Sequence, residues 1–151
     1  MLRNEISNAY KSAMKQQEAV AVSTLRLILA AIKDRDIAAR LKGNSDGITN
    51  DEILSLMQSM IKQRGDSIEA YEKGGRMELA HREAEEIAII EGFLPVQLKP
   101  ETVLTAVEDV IKDVNAETLK DMGKVMATLK QRFAGQMDFA KASSIVKAKL
   151  G

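Results

Sequence analysis

The stretch FLPVQLKP, residues 93–100, interrupts a chain that otherwise follows helical periodicity. Its two prolines, Pro95 and Pro100, cannot continue a straight helix, because proline lacks the backbone N–H and its ring clashes with the preceding turn. Pro100 also suits the first turn of a following helix. We therefore expect a boundary here, with a helical domain over residues 1–95 and a tail domain over residues 96–151.

Upstream of this stretch, apolar residues recur every three or four positions in four segments, which is the spacing of one helix face. The third segment has the clearest start, because Thr49 is followed three residues later by Glu52, the pattern of a capping box. We expect two of the inward stripes to consist of Leu2, Ile6, Tyr10 and Met14 in the first helix, and of Leu79, Ala80, Ala84, Ile87 and Ile90 in the fourth.

Downstream, three shorter segments have the same periodicity, and Gly135 followed by Asp138 indicates the end of one helix and the start of the next. Strand signals are weak, since aromatic residues make up only 3% of the chain and no segment alternates apolar and polar residues. The sequence therefore predicts an all-α protein, with an N-terminal helical bundle and a small three-helix tail domain.

The composition excludes several kinds of site. The chain has no cysteine, which excludes disulfides and thiol chemistry, and its one histidine, His81, cannot form a His–His metal pair. The acids Glu83, Glu85 and Glu86 near His81 fit a solvated helix face better than a catalytic pair, which requires burial or close opposition. We identify no catalytic residues, no metal site and no cofactor.

Hydropathy and the first residues bear on location. No apolar run is long enough to span a membrane, and the first residues, MLRNE, lack the apolar core of a signal peptide. We expect a cytoplasmic protein with no membrane partner.

Charge is balanced over the whole chain, with 22 basic and 22 acidic side chains, but it is unevenly distributed. Residues 118–151 hold seven basic side chains and only two acids. The basic residues are Lys120, Lys124, Lys130, Arg132, Lys141, Lys147 and Lys149. Such a cluster is the type of surface that binds phosphate backbones, and we take these seven as candidate nucleic-acid-binding residues. Solvated helix faces would produce the same pattern.

A second basic set lies in the second helix, where Arg26, Lys33 and Arg40 are spaced by seven and so share one face. Lys62 and Arg64 would extend this patch from the third helix. Ordinary solvated charge is the alternative interpretation here as well.

Several segments in order resemble the GatB/YqeY family, in particular its YqeY-like proteins. They are Thr24-Leu25-Arg26, Ala30-Ala31-Ile32-Lys33, Lys62-Gln63-Arg64, Tyr71-Glu72-Lys73-Gly74-Gly75-Arg76, Phe93-Leu94-Pro95, and Lys120-Asp121-Met122-Gly123-Lys124-Val125-Met126. Each segment is weak alone, whereas the ordered set covers nearly the whole chain.

The resemblance implies a likeness to the C-terminal region of the B subunit of the tRNA-dependent amidotransferase, whose tail domain helps to hold tRNA. It implies Lys120 and Lys124 as tRNA backbone contacts and Gly123 as a packing position. The catalytic part of that subunit has no counterpart within these 151 residues.

The sequence is compatible with three functions. The first is a non-catalytic tRNA-binding accessory protein, whose partners would be tRNA and another protein of the tRNA-charging machinery. The second is a protein–protein interaction module. The third is carbon–nitrogen ligase activity with glutamine as amido-N-donor, which would rest on homology alone and would require an amidotransferase-like system around this chain.

Overall fold

The computed structural model describes all 151 residues, and every regular element in it is helical, which confirms the predicted all-α class. The helices are α1 (Leu2–Lys15), α2 (Ala19–Leu41), α3 (Asn50–Lys73), α4 (Met77–Glu91), α5 (Pro100–Asp113), α6 (Met122–Arg132) and α7 (Phe139–Leu150), with a 3-10 turn at Leu119–Asp121. The chain forms two compact units, Met1–Leu94 and Pro95–Gly151. No helix is both long and apolar enough to cross a membrane.

The first unit, the helical unit, buries one apolar face from each of α1 to α4. Its most enclosed side chains include Ile6, Ile28, Ile53, Met57 and Ile90. The capping box at the start of α3 is confirmed, since the Thr49 side chain accepts from the Glu52 N–H and the Glu52 carboxylate accepts from the Thr49 N–H. α3 therefore begins where the sequence predicts.

The predicted stripe of α1 is wrong at its end. Met14 is 44% exposed, and Ala13 is buried in its place. A strict spacing of four advances about 40° per step around a helix of 3.6 residues per turn. Three such steps from Leu2 turn Met14 away from the core, whereas Ala13 remains close to the direction of Leu2.

The predicted inward face of α4 also needs correction. Ala80 and Ile90 are buried as expected, but Ala84 is exposed and the carboxylate-bearing Glu86 is buried. Glu86 is buried because Arg64 of α3 donates to it, with Nε 3.0 Å from Oε2. A hydrophobic pattern cannot identify a charged residue that is buried with its partner.

A second ion pair joins the start of α1 to α2, and hydrogen bonds of both partners extend it to Ile48 in the loop between α2 and α3. The Arg3 guanidinium donates to the Asp36 carboxylate and, through Nη2, to the Ile48 carbonyl 3.0 Å away. The Ile48 N–H donates to Asp36 Oδ1 at 2.9 Å. The Arg3 hydrogen bonds and the Ile48 N–H lower the pKa of Asp36 below its usual value, with a further contribution from nearby Arg40.

The second unit, the tail unit, packs α5, α6 and α7 around a small apolar core. Its most enclosed side chains are Val107, Val110, Val125, Leu129 and Val146. The connecting segment is held to the α6–α7 loop, because the Leu98 N–H donates to the Gln136 carbonyl at 2.9 Å and Gln97 Nε2 donates to the Gly135 carbonyl at 2.6 Å. These bonds fix the first residues of the tail unit against its own α6–α7 loop.

Candidate nucleic-acid interface

The orientation of α6 is set by Val125 and Leu129, which are fully buried against α5 and α7. Lys124 and Lys130, six residues apart, therefore border the opposite, exposed face. Between them on that face lie Gly123, Ala127 and Gln131, all exposed. Ala127 and Gln131 were not among the predicted site residues, although their spacing from Lys124 identifies them once the buried side of α6 is known.

Helix α7 repeats this arrangement. Val146 is buried, and Lys141 and Lys147, again six residues apart, border an exposed face. The residues between them are small, namely Ala140, Ser144 and Ala148. α6 and α7 therefore both present an outer surface with lysines at its edges and short side chains along its middle.

Two of the seven candidate residues are engaged in ion pairs within the tail unit. Arg132 Nη1 lies 2.7 Å from Asp113 Oδ2, and Lys149 Nζ lies 2.9 Å from Glu108 Oε1. Both acids belong to α5, so the pairing is invisible in a count of charges over residues 118–151. The other five lysines are exposed and take part in no ion pair.

The start of α6 is held in place by Asp121. Its carboxylate accepts the N–H groups of Glu117 at 2.9 Å and Thr118 at 3.2 Å. These two bonds lower the pKa of Asp121, and nearby Lys124 adds to the effect. Asp121 thereby fixes the backbone on which Lys120 and Lys124 stand.

The N-terminus of α7 is already occupied by a carboxylate of the chain. Asp138 Oδ1 accepts the Ala140 N–H at 2.9 Å, and Asp138 is the N-cap. This helix end therefore offers one backbone donor fewer to a phosphate group.

Gly123 does not serve as a packing position within the chain. A Cβ built at this residue would meet no atom within 4 Å, because the residue lies on the exposed face of α6. The interpretation of Gly123 as a point of close helix approach needs correction: the free space there faces outward.

The second basic set is smaller than the sequence suggests. Arg64 is committed to Glu86 and to the Met60 carbonyl, 3.2 Å from its Nη1, with only 12% of its side chain exposed. It is therefore not available as an extension of the patch. Arg26, Lys33 and Arg40 remain exposed on α2, where Arg26 Nε donates to the Tyr10 hydroxyl at 3.2 Å.

The acidic group around His81 forms no cluster of three metal-ligating side chains. Glu86 is turned into the interface between α3 and α4, while His81 and Glu85 remain exposed. An open depression of about 520 Å³ lies here, lined by Val20, Met77, Glu78, His81, Arg82 and Glu85.

Comparisons with known proteins agree with the motifs quoted above. A sequence model of the YqeY-like proteins matches residues 3–150. "Altered inheritance of mitochondria protein 41, mitochondrial" from Vanderwaltozyma polyspora is 29% identical over 148 residues, which cover 92% of this chain and 77% of that protein. The protein of the same name from Meyerozyma guilliermondii is 31% identical over 81% of this chain and 60% of its own length.

A third relative of the same name, from Lachancea thermotolerans, is 36% identical over 84 residues, 56% of this chain and 43% of its own length. This chain therefore spans less than two thirds of the Lachancea and Meyerozyma proteins.

The expected cytoplasmic location is contradicted by these relatives, since all of the curated relatives found carry the word mitochondrial in their names. The expectation rested on hydropathy and the first residues. Neither determines location, because targeting signals are read separately from the fold. The family match over nearly the entire chain nevertheless establishes its relationship: the chain belongs to the family of YqeY-like proteins.

Proposed function

We propose that the tail unit makes this protein a non-catalytic tRNA-binding accessory protein. The observation that carries the proposal is the set of exposed lysines without ion pairs on α6, α7 and the turn before α6. They are Lys120, Lys124, Lys130, Lys141 and Lys147. Arg132 and Lys149 contribute less, because each shares its charge with an acid of α5.

The shape of the α6 face supports a backbone ligand. Phosphates are bound by lysine and arginine, and such contacts supply most of the affinity that does not depend on sequence. Gly123 and Ala127 lie between the lysines and carry almost no side chain, so a sugar–phosphate strand can approach the helix while Lys124 and Lys130 reach it from both edges. A merely solvated helix face has no need of this arrangement of short and basic residues.

The choice of tRNA among nucleic acids comes from the family resemblance. In the amidotransferase B subunit, the related tail domain helps to hold tRNA, and Lys120 and Lys124 match the motif of that region. A protein of the tRNA-charging machinery is the partner that this function would require.

The test is binding of the full chain to total tRNA over a series of salt concentrations. The variant is Lys120→Ala/Lys124→Ala/Lys130→Ala, and the matched control is Lys11→Ala/Lys15→Ala/Lys42→Ala, which removes the same charge from exposed positions of the helical unit. Each phosphate contact contributes about one to the slope of log affinity against log salt. We expect the tail variant to lose a slope of about two to three and at least tenfold in affinity.

The outcomes separate the competing functions. Equal weakening of the two triple variants would mean that net charge, and not the α6 face, determines binding, which would contradict the proposal. Absence of tRNA binding by the native chain at low salt would also overturn it and would favour a protein–protein interaction module.

A further inference from the structure

Helix α2 is apolar on two faces, and only one of them lies in the core of the helical unit. Leu25, Ile28 and Ile32 point inward and are at most 3% exposed. On the outer side Leu27 is 50% exposed, Ile37 47% and Leu41 85%. A surface helix of a soluble domain normally places charged residues on its outer side. The exposed apolar residues on the outer side of α2 are therefore unusual.

The outer face has the spacing of a coiled-coil seam. Leu27, Ala30, Asp34, Ile37 and Leu41 are separated by three, four, three and four residues, and all five are exposed. This alternation is the a and d pattern of a heptad repeat, which places the five residues in one narrow stripe along the helix. The stripe extends over 15 residues, or about 22 Å at 1.5 Å per residue.

One edge of the stripe is uniformly basic. Arg26, Lys33 and Arg40 each precede a seam residue by one position, which is the g position of the same heptads. All three are exposed, and none is in an ion pair. The opposite edge consists of Ala31 and Ala38, which leave room for a neighbouring helix.

We propose that the outer face of α2, consisting of the seam Leu27, Ala30, Asp34, Ile37 and Leu41 and the basic edge Arg26, Lys33 and Arg40, docks an amphipathic helix of a partner protein whose apolar stripe is bordered by acidic side chains. The basic edge sets the sign of the partner's charge, because g positions face the flanking residues of the other helix in a coiled coil. Asp34 sets the register, since the partner has to present a basic or hydrogen-bonding side chain opposite it.

A second copy of this chain does not fit the same face. In an antiparallel pair of α2 helices the basic edges would meet, and in a parallel pair the two Asp34 carboxylates would meet in the middle of the seam. Like charges in these positions act against association. Asp34 also disfavours an anionic lipid surface, which would otherwise attract a basic amphipathic helix.

The proposal is tested with a synthetic helical peptide of about 28 residues that has leucine at a and d, glutamate at e and g, and one lysine at the seam position opposite Asp34. The control is the same peptide with lysine in place of every glutamate at e and g. We expect the full chain to bind the acidic peptide at least tenfold more tightly than the basic one. Chemical shift changes in amide NMR spectra should lie on residues 26–41.

Two variants keep the test specific. Arg26→Glu/Lys33→Glu should weaken binding of the acidic peptide about tenfold and improve binding of the basic one. Leu27→Ser/Ile37→Ser should abolish binding of both, and because both residues are about half exposed, the helical content of the variant should stay that of the native chain. The triple lysine variant of the tail unit serves as a control and should bind the acidic peptide like the native chain.

Other results would overturn the proposal. These are equal affinity for the two peptides, shift changes outside α2, concentration-dependent dimerisation that Leu27→Ser/Ile37→Ser removes, and binding to vesicles of anionic lipid in preference to the acidic peptide. The result with tRNA has no bearing on this test, so the two proposals fail or succeed independently.

Discussion

The two units use charge in opposite ways. In the helical unit, Arg64 and Glu86 form an ion pair between α3 and α4 with only 12% of each side chain exposed. In the tail unit, the ion pair of Lys149 and Glu108 joins α7 to α5 with 42% and 50% of the side chains exposed. Buried charges have to be paired, whereas exposed pairs add little to stability and leave neighbouring cations available.

This difference indicates where binding surfaces can arise. In the helical unit, some of the charged side chains form ion pairs between helices. Arg3 of α1 pairs with Asp36 of α2, and Arg64 of α3 pairs with Glu86 of α4. The tail unit is held mainly by its small apolar core, and five of the seven candidate nucleic-acid-binding residues in it form no ion pair. The unpaired lysines of the tail unit are the basis of the proposed tRNA site, and the exposed apolar stripe of α2 with its basic edge is the basis of the proposed docking face.

The largest expected effect comes from breaking the buried ion pair of Arg64 and Glu86. Glu86→Ala leaves Arg64 buried without its carboxylate and should destabilise the helical unit by about 3 kcal/mol. Thermal unfolding followed by tyrosine fluorescence measures this unit alone, because both tyrosines, Tyr10 and Tyr71, lie in residues 1–94. The matched change in the tail unit, Lys149→Ala, should cost less than about 0.5 kcal/mol, measured by amide NMR of the tail residues during denaturant unfolding.

Equal losses of stability in Glu86→Ala and Lys149→Ala would contradict the difference between buried and exposed ion pairs. Should Glu86→Ala fail to fold, the double variant Arg64→Met/Glu86→Met replaces both charges with apolar groups of similar length. Its stability should lie within about 1 kcal/mol of the native protein, since well-packed apolar pairs often substitute for buried ion pairs without loss.

A smaller effect, of opposite sign, is expected at Thr24 in the core of the helical unit. Its hydroxyl is fully buried and has no hydrogen-bond partner. Thr24→Val keeps the shape and removes the unpaired polar group, so it should stabilise the unit by about 1 kcal/mol. Denaturant unfolding with tyrosine fluorescence measures the gain, and the surface change Thr128→Val in the tail unit should produce none. A loss of stability at Thr24 would show that the hydroxyl has a partner in solution.

The smallest expected effect is a loss of stability at acid pH. The two units differ here in which groups donate hydrogen bonds to a carboxylate. Asp36 is held by the Arg3 guanidinium and the Ile48 N–H, and Asp121 by two backbone N–H groups. Both have a folded-state pKa below the usual 3.8, so each stabilises its unit above that pH and loses the contribution as pH falls through the lowered value.

Unfolding of the native chain and of the variants Asp36→Asn and Asp121→Asn should therefore be followed from about pH 5 to pH 2. The advantage of the native chain should shrink as pH falls, and more so at Asp36 because a cation is its main partner. An advantage that grows toward acid pH would show that the pKa is raised rather than lowered.

The sequence alone determined the helical class and the capping of α3, because apolar periodicity and the Thr49–Glu52 capping box are local features. It also placed the basic residues of the tail on helices, and the ordered motifs pointed to the family. Its errors at Ala84 and Glu86 fall where a residue's environment depends on another element, whereas the error at Met14 comes from a strict spacing of four, which drifts around a helix of 3.6 residues per turn.

Only the tertiary structure decided which charges are engaged. Arg64 pairs with Glu86, which lies 22 residues away in the sequence. Arg132 and Lys149 pair with Asp113 and Glu108 of α5, which lie 19 and 41 residues away. It also decided that Gly123 faces outward and that α2 exposes a second apolar face. Periodicity states which residues share a side of a helix, but which side meets the core depends on how the helices pack, and packing is a property of contacts between residues distant in the chain.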